Sequence, residues 1–405
     1  MIFINKLIKW VDDRFPLMIL WKEHLSEYYA PKNFNFWYFF GSLALVMLFI
    51  QIVTGIWLTM NYNPSELGAF DSVEYIMRDV SYGWLLRYTH STGASFFFLV
   101  VYLHMFRSLM YGSYKKPREL LWITGVFIFI LLMAESFFGY LLPWGNMSFW
   151  GAQVITSLFA VIPYVGDSLV ELIRGNYNIS GVILNRFFSL HVSAVPLIFV
   201  GLVVVHLIAL HSVGSNNPDG IEIKNNKDSK GIPLDGIPFH PYYTVKDLFV
   251  VSVFLMIFFG VVFFAPSFGG LFLEPPNFIP ADPLKTPDHI APIWYMTPFY
   301  AILRAIPNKI GGVVAMGASL AVIFVLPWLD KSPVKSIRYK GFISKFALTL
   351  FVVSFFILGY LGMVQPNPLR TLIAQICTTI YFLFFILMPF YSVVDKVKLV
   401  PERLT

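Results

Sequence analysis

Eight stretches of this chain stay apolar long enough for each, coiled as a helix, to reach across a lipid bilayer. They lie near residues 37–60, 84–109, 120–141, 182–211, 247–266, 310–329, 342–363 and 371–392. A bilayer's hydrocarbon core is about 30 Å thick and a helix rises about 1.5 Å per residue, so roughly 20 apolar residues span it. Composition agrees, because a chain that is 57% hydrophobic and 13% charged has too little charge to cover a surface facing water. The expected class is an all-α integral membrane protein with about eight transmembrane helices.

Two connections are long yet still apolar: 143–181, and the proline-rich 267–309. Such loops are expected to fold along the membrane surface, over a site. Segment 213–245 is polar, carrying Ser215-Asn216-Asn217-Pro218 and several lysines. It divides the chain into an N-terminal bundle (1–214), a connector (215–245) and a C-terminal transmembrane half (246–405). Lys6, Lys9, Asp12, Asp13 and Arg14 argue against a cleavable signal peptide at the start. Ile4, Leu7, Ile8 and Val11 recur at helical spacing there, as in an amphipathic helix lying on a membrane.

Basic residues assign the sides. Alternate segments (the N-terminus, 107–118, 224–246, 331–345 and the C-terminus) hold 21 of the 29 lysines and arginines. The positive-inside rule then puts both termini in the cytoplasm. The +6 net charge reads as a topology signal, not as a nucleic-acid footprint. The single cysteine, Cys377, excludes a disulfide framework, a cysteine-ligated zinc and a thiolate iron–sulfur cluster within this chain.

Ionisable residues inside a span are costly and mark function. His90 and His104 lie in the second span, His191 and His206 in the fourth. A step of 14 residues turns a helix through four turns less about 40°, so His90 and His104 share a face about 21 Å apart. The step from His191 to His206 is one residue longer, and a bulge near Pro196 would absorb it. Both spans run in the same direction, so His90 faces His191 at one depth and His104 faces His206 at the other. Imidazole suits haem iron, zinc and copper. Two axial imidazoles per level fit a six-coordinate electron-transfer haem, whereas zinc wants four ligands close together. A haem also needs flat space between helices. Gly41 and Gly55 in the first span, and Gly125 and Gly139 in the third, repeat the 14-residue step. Tight helix packing is the other use of such glycines. Arg87 and Arg107, each three residues from a histidine, are within reach of haem propionates; ordinary positive flanking charge is their other reading.

Nine segments now carry a resemblance. They are Gly41-Ser42-Leu43, Gln51-Ile52-Val53-Thr54-Gly55, Tyr82-Gly83-Trp84, Arg87-Tyr88-Thr89-His90, Gly139-Tyr140-Leu141-Leu142-Pro143-Trp144-Gly145, Ser148-Phe149-Trp150-Gly151-Ala152, Arg186-Phe187-Phe188-Ser189-Leu190-His191, Gly214-Ser215-Asn216-Asn217-Pro218 and Phe239-His240-Pro241-Tyr242-Tyr243. Over almost its whole length the chain resembles the cytochrome b subunits of quinol–cytochrome c reductase, the cytochrome bc complex, of bacterial respiratory type. The resemblance implies two non-covalent b-type haems in a di-haem four-helix bundle in the N-terminal half. His90 and His191 would hold the low-potential haem between Gly55 and Gly139. His104 and His206 would hold the high-potential haem between Gly41 and Gly125. It implies an outer quinol site around Phe137, Tyr140, Gly151, Ile155, Pro292, Trp294 and Tyr295, and an inner quinone site around Ser42, His211, Lys246 and Asp247. An imidazole and a carboxylate at the inner site suit proton relay.

Two departures stand out. The family's Pro-Glu-Trp-Tyr motif reads Pro292-Ile293-Trp294-Tyr295, without the glutamate associated with quinol deprotonation. Asp288 and His289 are the ionisable residues nearest in sequence. The 15-residue histidine step, where many members have 14, is the second departure; relatives in photosynthetic membranes share it.

The implied reaction is quinol oxidation at the outer face. One electron goes to a Rieske iron–sulfur protein and a membrane-anchored c-type cytochrome, the other through both haems to quinone at the inner face, coupled to proton translocation. The chain lacks a Cys-x-x-Cys-His motif, so those other cofactors belong to partner chains. The expected setting is a homodimeric complex in the bacterial inner membrane. Two rivals differ: a di-haem anchor with a single quinone site, and a transporter with proton-carrying histidines, which would usually show internal repeats.

Overall fold

In the computed structural model each of the eight apolar stretches is a helix. The structure describes residues 2–404; the side chains of residues 2–5, 17, 20, 23 and 24 lie outside that description, Ile4 of the expected apolar stripe among them. Among the described residues, eight helices are long and apolar enough to cross a membrane: Phe36–Thr59, Gly83–Tyr111, Glu119–Leu141, Gly181–Val213, Phe239–Phe264, Lys309–Leu329, Phe342–Met363 and Pro368–Ile386. They are called spans one to eight below. A separate helix, Ile2–Asp12, precedes them.

Two boundaries differ from the sequence reading. Span five begins before Lys246 and Asp247, which sit in the first turns of its helix Thr244–Phe264. The positive end of a helix dipole accommodates an aspartate there, so charge did not end the helix. Span eight stops at Ile386, and residues expected to extend it form a separate helix, Met388–Val394, with Pro389 in its first turn. Proline offers no backbone N–H to continue a helix and favours starting a new one.

Span four is built of two α-helices, Gly181–Ser189 and Val195–Val213, joined by a π-helical turn at Leu190–Ala194. The wide turn holds one more residue than an α-turn. Pro196 cannot donate to the carbonyl four residues back, which loosens the α-ladder at this point. The 15-residue histidine step is thereby taken up inside the helix.

Spans one and two pack along their length, as do three and four. The short helix Thr297–Ala305 is buried among spans six, seven and eight through Phe299, Ala301, Ile302 and Ala305. An aromatic cluster joins the halves: Phe96, Phe98 and Phe129 from the bundle meet Phe258, Tyr295 and Phe299. Such rings bury about 150–250 Å² each and dominate the packing energy. Spans four and five keep Leu197, Ile198, Phe249 and Met256 exposed, as lipid-facing surfaces do.

The five basic segments meet at one end of the bundle. Tyr29–Pro31 pairs antiparallel with Gly236–Pro238, with Ala30 opposite Ile237. Buried Arg118 forks onto Glu222 at 2.5 and 2.9 Å, and Lys335 reaches the same carboxylate. Burial opposes ionisation of Glu222, but these two cations outweigh it and hold its carboxyl below the usual range. Asp330 takes Lys340 at 2.6 Å, Lys115 at 3.3 Å and the Tyr114 hydroxyl at 2.7 Å. Arg403 and Lys32 bind Asp235 at 2.7 and 3.0 Å; the Arg403 bond most of all brings that carboxyl down to about 2. At the opposite end the two apolar loops close on each other. The Asn146 N–H donates to the Ile279 carbonyl at 3.0 Å, the Ser148 N–H to Asn277 Oδ1 at 2.7 Å and the Ala281 N–H to the Trp144 carbonyl at 2.9 Å.

Candidate functional site

Inside the bundle the four span histidines form two facing pairs. The ring centres of His90 and His191 lie 6.1 Å apart, and those of His104 and His206 6.5 Å apart. An imidazole bound at about 2 Å puts its ring centre roughly 3 Å from the metal, so two axial rings lie roughly 6 Å apart. Both pairs have that spacing.

The partners of Nδ1 fix the tautomer at three of the rings. Thr54 donates its hydroxyl to the Ile50 carbonyl at 2.6 Å, so at 2.9 Å from His90 its oxygen accepts from Nδ1. Thr124 does the same for His206 at 3.0 Å, its own proton going to the Leu121 carbonyl. His191 Nδ1 lies 3.0 Å from the Glu135 carbonyl, which can only accept, and 3.0 Å from the Glu135 carboxylate. With the proton on Nδ1, Nε2 carries the lone pair a metal needs. His104 differs: its Nδ1 is buried with no partner among the described residues.

The glycines stand at the rings. A Cβ on Gly55 would come 3.2 Å from the His90 ring, on Gly41 3.3 Å from His104, on Gly125 3.2 Å from His206 and on Gly139 2.4 Å from His191. Each glycine thus belongs to one histidine, Gly55 and Gly139 at one level and Gly41 and Gly125 at the other. A Cβ on Gly139 would overlap its ring, whereas one on Gly41, Gly55 or Gly125 would press on its ring by a few tenths of an ångström. Arg107 lies over the Tyr38 ring at 4.5 Å and donates to Ser113 at 3.1 Å, while its Nε is buried without a partner. Arg87 forms no ion pair among the described residues. An anionic group is what these guanidiniums lack. Among the described residues no three histidine, cysteine or acidic side chains gather as a cation site. The paired rings, glycine cradles and unpaired arginines therefore fit two haems with propionates, and they do not fit zinc.

At the apolar-loop end, the Tyr295 ring is buried and stacks on Phe98 with centres 3.8 Å apart. Its carbonyl accepts from the Tyr102 hydroxyl, and its phenol meets the Ser136 hydroxyl. Trp294 donates its indole N–H to Ser95 at 3.1 Å. Helix Asn146–Ser157 brings Gly151 against the Tyr140 ring and carries Ile155. Phe137 packs on Phe187 in a neighbouring cluster with Leu141 and Trp144, and Pro292 is half-buried before the Trp294–Met296 turn.

The Tyr140 hydroxyl donates to the carboxylate of Glu274, a residue the sequence reading did not single out. Its signal was present, since Glu274 is the lone ionisable residue between Ala265 and Ala281. Burial raises its carboxyl above the usual range, and the Tyr140 bond offsets part of that. Of the two ionisable residues nearest the motif, His289 turns its ring to the Met363 carbonyl at 3.0 Å, and the Asp288 main-chain carbonyl accepts from Gln365.

At the basic end, Ser42 donates to Asp247 at 2.9 Å across spans one and five. The Lys246 ammonium stands 5.2 Å from the Tyr243 ring centre, and the His211 ring lies 4.7 Å from that of Tyr28. Tyr28 also packs on Phe239. Lys246 and His211 thus border one aromatic patch of Tyr28, Phe239 and Tyr243, and Ser42 and Asp247 pair with each other.

Comparison with known proteins follows the same outline. Residues 25–214 match the family model cytochrome b/b6/petB, and residues 280–382 match cytochrome b(C-terminal)/b6/petD. The chain is 61% identical over 406 residues to the cytochrome b of Allochromatium vinosum, covering 98% of both chains. It is 51% identical over 402 residues to that of Rhodospirillum rubrum, covering 99% of this chain and 96% of the other. A solved chain titled hyperthermophilic respiratory Complex III superposes with a TM-score of 0.88 at 40% identity, covering 96% of this chain and 99% of that one.

Proposed function

The chain belongs to the cytochrome b family, a multi-pass membrane haem protein and subunit of quinol–cytochrome c oxidoreductase, and from that premise we propose how its residues divide the work. It oxidises quinol at the apolar-loop end. One electron passes to a Rieske iron–sulfur partner and on to a membrane-anchored c-type cytochrome. The other crosses the bundle to quinone at the basic end, with protons released on one side and taken up on the other. The setting is a homodimeric complex in a bacterial inner membrane, both termini cytoplasmic. The bundle 1–214 and the C-terminal half 246–405, joined by the connector 215–245, both contribute residues to each quinone site.

Two b-type haems, once bound, supply one-electron carriers in series. His90 and His191 would hold one and His104 and His206 the other, through Nε2 at the three rings whose Nδ1 is engaged. Thr54, Thr124 and Glu135 lock three of those rings in the binding tautomer. Gly41, Gly55, Gly125 and Gly139 would leave room for the haem planes, and Arg87 and Arg107 would pair with the propionates. At the quinol end, half-buried Tyr140 and Trp294 and buried Tyr295 form an aromatic wall with Phe137, Gly151, Ile155 and Pro292 around it. At the quinone end, Asp247, held by Ser42, and His211 pass protons inward from the basic surface, while Lys246 offsets the negative charge that forms on quinone reduction.

The observation that carries this reading is the pair of histidine levels, 6.1 and 6.5 Å across, lying between two separate polar clusters at opposite ends. A membrane assay with a short-chain quinol tests it. Tyr295→Ala should stop quinol-driven reduction of cytochrome c yet leave the b band reducible from the other end. Adding Asp247→Asn should remove that reduction too. If Tyr295→Ala alone removed both, the chain would have a single quinone site.

A further inference from the structure

The outer site lacks the motif glutamate, because Ile293 stands in its place. Ile293 packs in the aromatic cluster with Phe98, Phe258 and Trp294 and offers no group that takes a proton. A quinol cannot give up both electrons in an apolar pocket and keep its protons, so some base must face it.

The proline-rich loop brings a carboxylate to this place from elsewhere in the chain. Glu274 lies in the loop after span five, between Leu273 and the turn Pro275–Phe278. That turn is pinned to the helix Asn146–Ser157, since Asn277 takes the Ser148 N–H at 2.7 Å. The pinning puts the Glu274 carboxylate on the Tyr140 hydroxyl, 134 residues away in sequence. The titratable groups facing it are the phenols of Tyr140, from span three, and Tyr295, from the loop before Thr297–Ala305.

We propose that Glu274, carried in by the proline-rich loop, is the proton acceptor for quinol at the outer site, in place of the glutamate missing at Ile293. The proposal rests on the reading of this end as the quinol site. In the step, the quinol O–H bond breaks and an O–H bond forms on a Glu274 carboxylate oxygen. Neutral quinol and carboxylate become quinol anion and neutral carboxylic acid, and no charge is gained or lost. The anion then yields its two electrons to the acceptors of the oxidoreductase and its remaining O–H proton to the outer aqueous phase, leaving neutral quinone. Glu274 releases the proton toward the outer face, to which its loop belongs. Tyr140 positions the carboxylate by donating to it.

Burial raises the Glu274 carboxyl above its ordinary range, which brings a base closer to neutral pH. The sign is definite: a base works deprotonated, so the rate falls as pH drops through the raised value. Glu274→Gln keeps the shape and an oxygen for the Tyr140 hydroxyl but cannot take the proton. A merely structural glutamate would tolerate that change.

The test uses membranes carrying the intact complex, with decylubiquinol as donor and cytochrome c as acceptor across a pH series. Wild-type membranes with no quinol-dependent activity would sink the reading of the site, separately from the role of Glu274. With active wild type, Glu274→Gln should lower kcat about a hundredfold, flatten the acid limb and leave the haem content intact. A rate within about twofold of wild type, with the acid limb in place, overturns the proposal. Should Glu274→Gln lose haem, Tyr140→Phe decides instead. Removing the bond that favours the charged carboxylate should move the acid limb to higher pH, and an unmoved limb overturns the proposal.

Discussion

The two histidine levels of the bundle are built to one plan and differ in what stands behind the rings. At both levels a histidine of span two faces one of span four, with a glycine of span one or three against each ring. Behind His90 and His191 stand Thr54 and Glu135, so both rings donate from Nδ1, one of them to a residue with a carboxylate. Behind His206 stands Thr124 alone, and His104 Nδ1 has no partner among the described residues. A strong acceptor behind an imidazole makes it a more basic ligand and favours the oxidised metal. The Glu135 level is therefore expected to have the lower potential, which is also what the resemblance assigned to His90 and His191. One register repeated along two helix pairs sets the places, and the groups behind the rings set the difference.

Removing a ligand breaks the comparison most completely. His191→Ala should halve the haem-to-chain ratio and leave one spectral component, measured as b-haem absorbance per protein. Next in size is a pair of added methyl groups. Gly139→Ala puts a Cβ 2.4 Å from the His191 ring, whereas Gly41→Ala puts one 3.3 Å from His104. The first should remove most of the haem at its level, and the second should retain it, since a shift of a few tenths of an ångström suffices. Equal losses would mean that the rings are not what the glycines make room for.

Smaller effects sharpen the contrast. Glu135→Gln should raise the potential of the lower-potential haem by about 50 mV, roughly the one-electron equivalent of 1.2 kcal/mol. Thr124→Val removes a neutral hydrogen bond and should move the other haem by only about 20 mV. Both are read by potentiometric titration of the b band. A larger shift for Thr124→Val than for Glu135→Gln would reverse the assignment of levels.

The parts legible in the sequence were those that repeat locally. Apolar runs announced the spans, and the 14-residue steps announced which histidines and glycines share a face, because a helix turns regularly. The odd step to His206 was legible as arithmetic, and the turn at Leu190–Ala194 is its physical form. Span ends were less legible: Asp247 looks like a flank but suits a helix N-terminus, and Pro389 starts a helix inside an apolar run. Hardest to read were partners made by folding. Glu135 and Glu274 are acids in apolar runs, itself a signal, but nothing local ties Glu135 to His191 or Glu274 to Tyr140. His289 shows the converse, lying close to Pro292 in sequence while its ring is engaged by the Met363 carbonyl.

The most direct test is a redox titration of the purified protein, following the b band, with haem counted per chain. Two haems per chain, reducing in two one-electron steps at separate potentials, are the predicted result. A count of one haem per chain would contradict the paired levels, whatever the potential at which it titrates.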